Sequence, residues 1–261
     1  MSAGSARARG HSNGSARPES TWNPPRGFPL RVRRSKRSRH LRLEIGADAV
    51  HVVAPTRATR AEIDQLIHEK RAWIEAGVRE MRQVLRNRIF PRRYVSGARL
   101  PFGNDTLQLE VVNSKTQRTA NRVWLRGDTL VARVAPDLRG ANREAEAKAV
   151  VRRWYHGELR VAATELVEFH GPRLGLAPRG IRVKWMTTRW GSCGPAGYLN
   201  LNARLLGSPP EVLEYVVVHE LCHLRHLHHQ PSFWRLVEEA LPNYANAVHW
   251  LDRNGMRLLV D

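Results

Sequence analysis

Two cysteines in a chain of 261 residues exclude a disulfide framework. Cys193 and Cys222 are predicted to be free thiols of a reducing compartment. Long apolar runs are missing too. No stretch approaches the ~20 residues of a membrane span, and none has the apolar centre of a secretory leader. These absences predict a cytoplasmic protein without membrane contact. Acids are scarce: 24 Asp and Glu stand against 43 Lys and Arg, a formal net charge of +19.

The surplus is uneven. Residues 1–43 hold eleven Arg and Lys against one acid, Glu19, whereas residues 200–261 hold five against seven. A basic N-terminal region can neutralise phosphates. Nucleic acid or another polyanion is therefore a candidate partner there, with Arg33 to Arg39 as the best contact. No base-reading motif or aromatic platform accompanies the charge, so solubility alone is the competing reading.

Three parts are expected. Residues 1–25 are Ser, Gly, Ala and Arg with few apolar side chains, a disordered basic tail. Residues 26–136 form a β-rich subdomain with one long helix. Alternation at Leu30–Arg33, His40–Ile45 and Val50–Val53 predicts short antiparallel strands. Thr59-Arg60-Ala61-Glu62 is a capping box, and helical spacing then runs from Ile63 through Trp73 to Leu85, with Trp73 expected in the core. Glycines punctuate further strands between 94 and 134. In residues 137–261 a helix over 141–170 should turn Val150, Val151, Trp154, Val161, Leu166 and Phe169 inward. A hairpin should enclose Arg189-Trp190-Gly191-Ser192-Cys193-Gly194, and short helices follow. The fold class is α+β.

The chemistry concentrates in Val216–Trp234, which holds five of the twelve histidines. His219-Glu220-Leu221-Cys222-His223 is an H-E-x-x-H motif. On a helix His219 and His223 share a face one turn apart and can hold one metal ion. Glu220, about 100° around the axis, can take a proton from water without being a ligand. Ser208-Pro209-Pro210-Glu211 reads as a capping box that starts the helix. Two ligands are too few for a catalytic zinc. His226 lies about 10 Å along the axis from His219, too far for the same ion. The third ligand should lie beyond a turn: the break signal at Gln230-Pro231 places His228 or His229 to fold back, with Glu238 or Glu239 on the next helix as the alternative.

Arg189-Trp190-Gly191-Ser192-Cys193, Leu199-Asn200-Leu201-Asn202, Pro209-Pro210, the H-E-L-x-H-L run, His229 and Phe233-Trp234 come in an order that resembles the YgjP-like (DUF45) metallopeptidase family, related to the SprT-like and WLM zincins. Lys70, Trp73 and Ile74 fit the same pattern. The resemblance implies a zincin-like helical core with a small sheet in residues 137–261. It implies zinc held by His219, His223 and His229, Glu220 as general base, and a peptide or protein substrate paired along an edge strand. Tyr198, Arg189 and Tyr244 are candidates to stabilise the oxyanion. Two other readings stay open: a metal-dependent nucleotide or phosphate-ester hydrolase, and a non-enzymatic nucleic-acid-associated protein with a structural metal. Three histidines would also accept nickel, cobalt or copper.

Overall fold

The computed structural model describes residues 24–260. The tail expected over residues 1–25 lies outside them but for its last two positions. The chain divides into two compact units at Arg86/Asn87. The fold is α+β, and its sheets are mixed. No helix among the described residues is long and apolar enough to cross a membrane.

In the first unit, β1 (Leu30–Ser35), β2 (Arg42–Ile45) and β3 (Val50–Pro55) form one sheet in the order β1-β3-β2. β3 is antiparallel to β2 but parallel to β1, which corrects the all-antiparallel expectation. The reason lies in composition. Val50, Val52, Val53 and Ala54 are all buried, so β3 is apolar on both faces and belongs in the middle. β1 and β2 alternate apolar with charged side chains, Arg31 and Arg33 in one and Arg42 and Glu44 in the other, and suit the edges.

Thr59 caps the next helix as expected: the Glu62 N–H donates to Thr59 Oγ1 at 3.2 Å and the Thr59 N–H to Glu62 Oε2 at 2.6 Å. The helical stretch breaks at Lys70 into α1 (Arg60–Glu69) and α2 (Arg71–Arg86). Ile63, Ile67, Ile74, Val78 and Met81 are buried, whereas Trp73, expected in the core, is half exposed. It sits one residue, about 100°, off the buried face.

The second unit is built on α3 (Gly140–Leu174). Before it come β4 (Arg99–Phe102), β5 (Asp105–Asn113), β6 (Arg122–Arg126) and β7 (Thr129–Val134), in the order β4-β5-β7-β6. After it come β8 (Gly180–Lys184), β9 (Gly191–Cys193) and β10 (Tyr198–Asn202), in the order β8-β10-β9. α4 (Pro210–Cys222), α5 (Pro231–Ala240) and α6 (Tyr244–Leu259) complete it.

One hydrophobic core runs from Leu109 and Leu130 through Val150, Trp154, Tyr155 and Leu159 to Val217, Leu221 and Phe233. The strands of residues 99–134 therefore share a core with α3 and α4, and the unit boundary falls some fifty residues before the one expected at 136/137. Val161 and Phe169, expected inward, are 58% and 49% exposed. The buried face of α3 follows Ala147, Val151, Trp154, Leu159 and Ala163 instead, and Phe169 lies under the Arg173 guanidinium at 3.6 Å.

Two further expectations change. The hairpin is β9–β10, and β8 pairs with β10 in parallel. Ser208 does not cap α4: its hydroxyl donates to the Leu205 carbonyl at 2.6 Å, and Pro209 is the capping residue. Pro210 still opens the helix at the first position, where its missing N–H costs no hydrogen bond.

Candidate metal centre

α4 is buried on almost every side. Val212, Leu213, Tyr215 to Val218, Glu220, Leu221 and Cys222 are all covered, as expected of a helix apolar around its whole circumference. Solvent reaches its two ends: Pro210 and Glu211 in the first turn are exposed, and His219 in the last is half-buried. His223 is the C-cap, still with helical backbone angles (φ −66°, ψ −16°). The helix thus ends before the break expected at Gln230, and the segment from Leu224 to Gln230 carries His229 back over it.

The ligating atoms of His219, His223 and His229 all lie within 4.8 Å of one another. The Nε2 atoms of His219 and His229 face each other at 3.0 Å. Among the described residues this is the group of three or more His, Cys, Asp or Glu side chains able to share an ion. His228, Glu238 and Glu239 are exposed and lie outside it; His226 also lies outside it, half-buried, with its ring 6.4 Å from that of His228.

The other ring nitrogens are engaged. His223 Nδ1 lies 2.8 Å from the His226 carbonyl, which can only accept. Nδ1 therefore carries the proton, and Nε2 keeps a lone pair for a ligand. His219 Nδ1 meets the Tyr215 hydroxyl at 3.3 Å. Such contacts orient ligating imidazoles. The fully buried Phe233 ring floors the group, with its centroid 4.7–4.9 Å from all three imidazoles. Trp234 stacks on His229 at 5.7 Å, and its Nε1–H donates to the His229 carbonyl at 3.2 Å.

Burial, and then the neighbouring imidazoles, push the His219 pKa down to about 3 and lower that of His229. Both are neutral at pH 7, the form that binds metal.

Glu220 is 5% exposed, and its Oε2 has no hydrogen-bond partner. Burial raises its pKa to about 7; the Cys193 backbone N–H and the charge of Arg189 pull the other way. Thus Trp190-Gly191-Ser192-Cys193 does more than pack beneath the helix. Trp190 rests against Gly255, while the strand backbone holds the carboxylate. A Cβ on Gly191 would come within 2.5 Å of Glu220 Oε1 and 2.7 Å of its Cγ. A glycine inside a strand often marks such a close approach, the sequence signal by which this contact could have been found.

Gly191→Ala should therefore displace Glu220. The expected result is a roughly hundredfold loss of activity and about 1–3 kcal/mol of lost stability, with metal content unchanged. Unaltered turnover would show that the carboxylate does not depend on this contact.

Of the oxyanion candidates, Arg189 acts electrostatically on Glu220, and Tyr244 stacks with Tyr215 and Trp234 at 6.1 and 5.7 Å. Tyr198 lies under the Arg182 guanidinium at 3.7 Å. Cys222 is buried, with its thiol pushed up to about 12, and Cys193 is half-buried; both are free.

Three imidazoles converging beside a buried carboxylate are the donor set of a metal-dependent hydrolase. A family model described as YgjP-like, metallopeptidase domain, matches residues 39–254. The chain belongs to that family, and its activity at that level is metal-dependent peptide hydrolysis. No curated protein matches the chain. Among solved structures, the metallopeptidase zymogen abylysin of Pyrococcus abyssi is similar at 27% identity and a TM-score of 0.32, covering 35% of this chain and 90% of its own.

Proposed function

We propose that the protein is a zinc-dependent peptidase in which His219, His223 and His229 hold the ion and Glu220 is the general base. The observation that carries this reading is the convergence of the three imidazoles beside a buried carboxylate with one unpartnered oxygen. Bound there, zinc would supply Lewis acidity toward a carbonyl and lower the pKa of water. The contacts at His219 Nδ1 and His223 Nδ1 fix the rings so that Nε2 is presented.

Glu220 does the proton work. A pKa of about 7 suits both taking and returning a proton near neutrality. The Cys193 N–H steadies the carboxylate, and Oε2 is left to accept the proton and pass it to the leaving amine. β9 is an edge strand of its sheet and touches Glu220. An extended peptide added along that edge would present its carbonyls beside the carboxylate. The two free thiols fit a reducing, cytoplasmic setting.

Metal analysis and two assays on the same preparation test the reading. Zinc near one per chain, with cleavage of a peptide library and no hydrolysis of nucleoside triphosphates, is expected. Nucleotide hydrolysis without peptide cleavage would overturn it.

A further inference from the structure

The first unit carries a second concentration of chemistry, a cluster of basic side chains outside the group of three histidines. Arg33 on β1 and Arg42 on β2 both pair in register with Val53 of β3. Residues paired across strands share a face. The two arginines therefore flank Val53 on one side of the sheet, two strand spacings or about 10 Å apart at the backbone. The loop joining β1 to β2 brings Arg37, Arg39 and His40 over the same place. Together they line a cavity of about 280 Å³ whose floor includes Val53.

The loop is braced from within. The Arg37 N–H donates to Ser35 Oγ at 3.3 Å, and the Ser38 hydroxyl to the His40 carbonyl at 2.8 Å. No carboxylate lines the cavity. Glu44 reaches Arg42 at 3.6 Å, in a pair more than half exposed on both sides. Exposed pairs of that kind are weak and leave the guanidinium available to another anion. Arg34 takes no part: it donates to the Ala58 carbonyl at 2.6 Å.

We propose that this cavity binds the phosphodiester backbone of a nucleic acid. Guanidinium groups converging from two strands and a loop match the tetrahedral oxygens of a phosphate. The surroundings extend the positive field beyond a single phosphate: residues 24–86 hold fifteen Arg and Lys against seven Asp and Glu. A membrane surface fits less well. Peripheral attachment needs exposed apolar groups beside the charge, and Val53 is 1% exposed. Leu41, Leu43 and Trp73 do form an apolar groove. However, Leu43 is in register with Val52, on the opposite face of the sheet. No Phe, Tyr or Trp ring lines the cavity, whose one ring is the His40 imidazole, so binding follows the backbone with little base preference.

The test uses the full chain, a labelled 20-nucleotide single strand and a 20-base-pair duplex, read by fluorescence anisotropy between 50 and 200 mM KCl. Arg33→Ala with Arg42→Ala should weaken binding by about tenfold or more and reduce the slope of log K against log salt by about 2. Arg33→Lys with Arg42→Lys should retain most of the salt slope. If the alanine pair lowers the melting temperature, Arg37→Ala with Arg39→Ala, in the loop, serves in its place with the same expectation. Unchanged affinity and slope in a folded variant would overturn the proposal. So would binding to phosphatidylserine vesicles that depends on Arg33 and Arg42 while neither nucleic acid binds.

Discussion

Glu220→Gln is expected to lower peptide turnover by about 10²–10⁴-fold while the bound metal stays at wild-type content. Glutamine keeps the size of the side chain and can still accept from the Cys193 N–H, but it cannot take a proton. The loss should appear in kcat more than in KM. Activity within a few-fold of wild type would remove Glu220 from the mechanism.

The same substitution has a second, opposite consequence for the metal-free protein. Burial holds the folded-state pKa of Glu220 at about 7, above the ordinary 4.5. The folded state therefore binds the proton more tightly than the unfolded state. The stability this provides is fully present below about pH 4.5 and is lost as pH rises through 7. At pH 8 wild type must fold around a buried, half-satisfied charge, whereas the glutamine variant need not. Metal-free Glu220→Gln should thus be more stable at pH 8, by on the order of 3 kcal/mol, and the gap should shrink toward pH 5. Thermal melts of the two chelated proteins across that range measure it. A gap that widens on acidification would refute the assignment of a buried carboxylate with a raised pKa.

His229→Ala should empty the centre. His219 and His223 come from adjacent turns of one helix end, and His229 closes the group from beyond the turn at Leu224–Gln230. Two imidazoles leave too few ligands for a tightly held zinc. After dialysis the variant should retain a small fraction of the metal that wild type keeps, and peptidase activity should fall with it. His229 is exposed, so its removal leaves the core intact and the fold should survive. Full metal retention by the variant would exclude His229 as a ligand. His228→Ala, one residue away and outside the cluster, is the matched control and should keep its metal.

What could be read from the chain depended on how local the determining contact was. His219 and His223 were legible because helical spacing alone places them on one face. His229 needed more: a break in the helix left His228 and His229 as equals, and only the motif order favoured one. Gly191, the Cys193 N–H and the Phe233 floor were not legible as parts of the candidate site. Each touches a residue that helix or strand periodicity does not bring near.

Strand direction failed for a similar reason. Alternation predicted β1, β2 and β3, but not that β3 would insert between the other two. The clue was its apolar run, which suits a central strand. Trp73, Val161 and Phe169 show another limit. Helical spacing was correct in period, yet an error of one residue in phase rotates a side chain from core to solvent.

The length of α3 also bears on how the second unit comes apart. At 35 residues, roughly 50 Å, its buried face joins the core of the four-stranded sheet to that of α4. Neither can open alone without stripping the other of its packing surface. Amide protons at the centre of α3, around Val151 and Tyr155, should therefore exchange with deuterium only through global unfolding of this unit. Those of α4 near Val217 should exchange at the same rate. By this argument, loading or removing the metal shifts the protection of the sheet 99–134 as much as that of the centre itself.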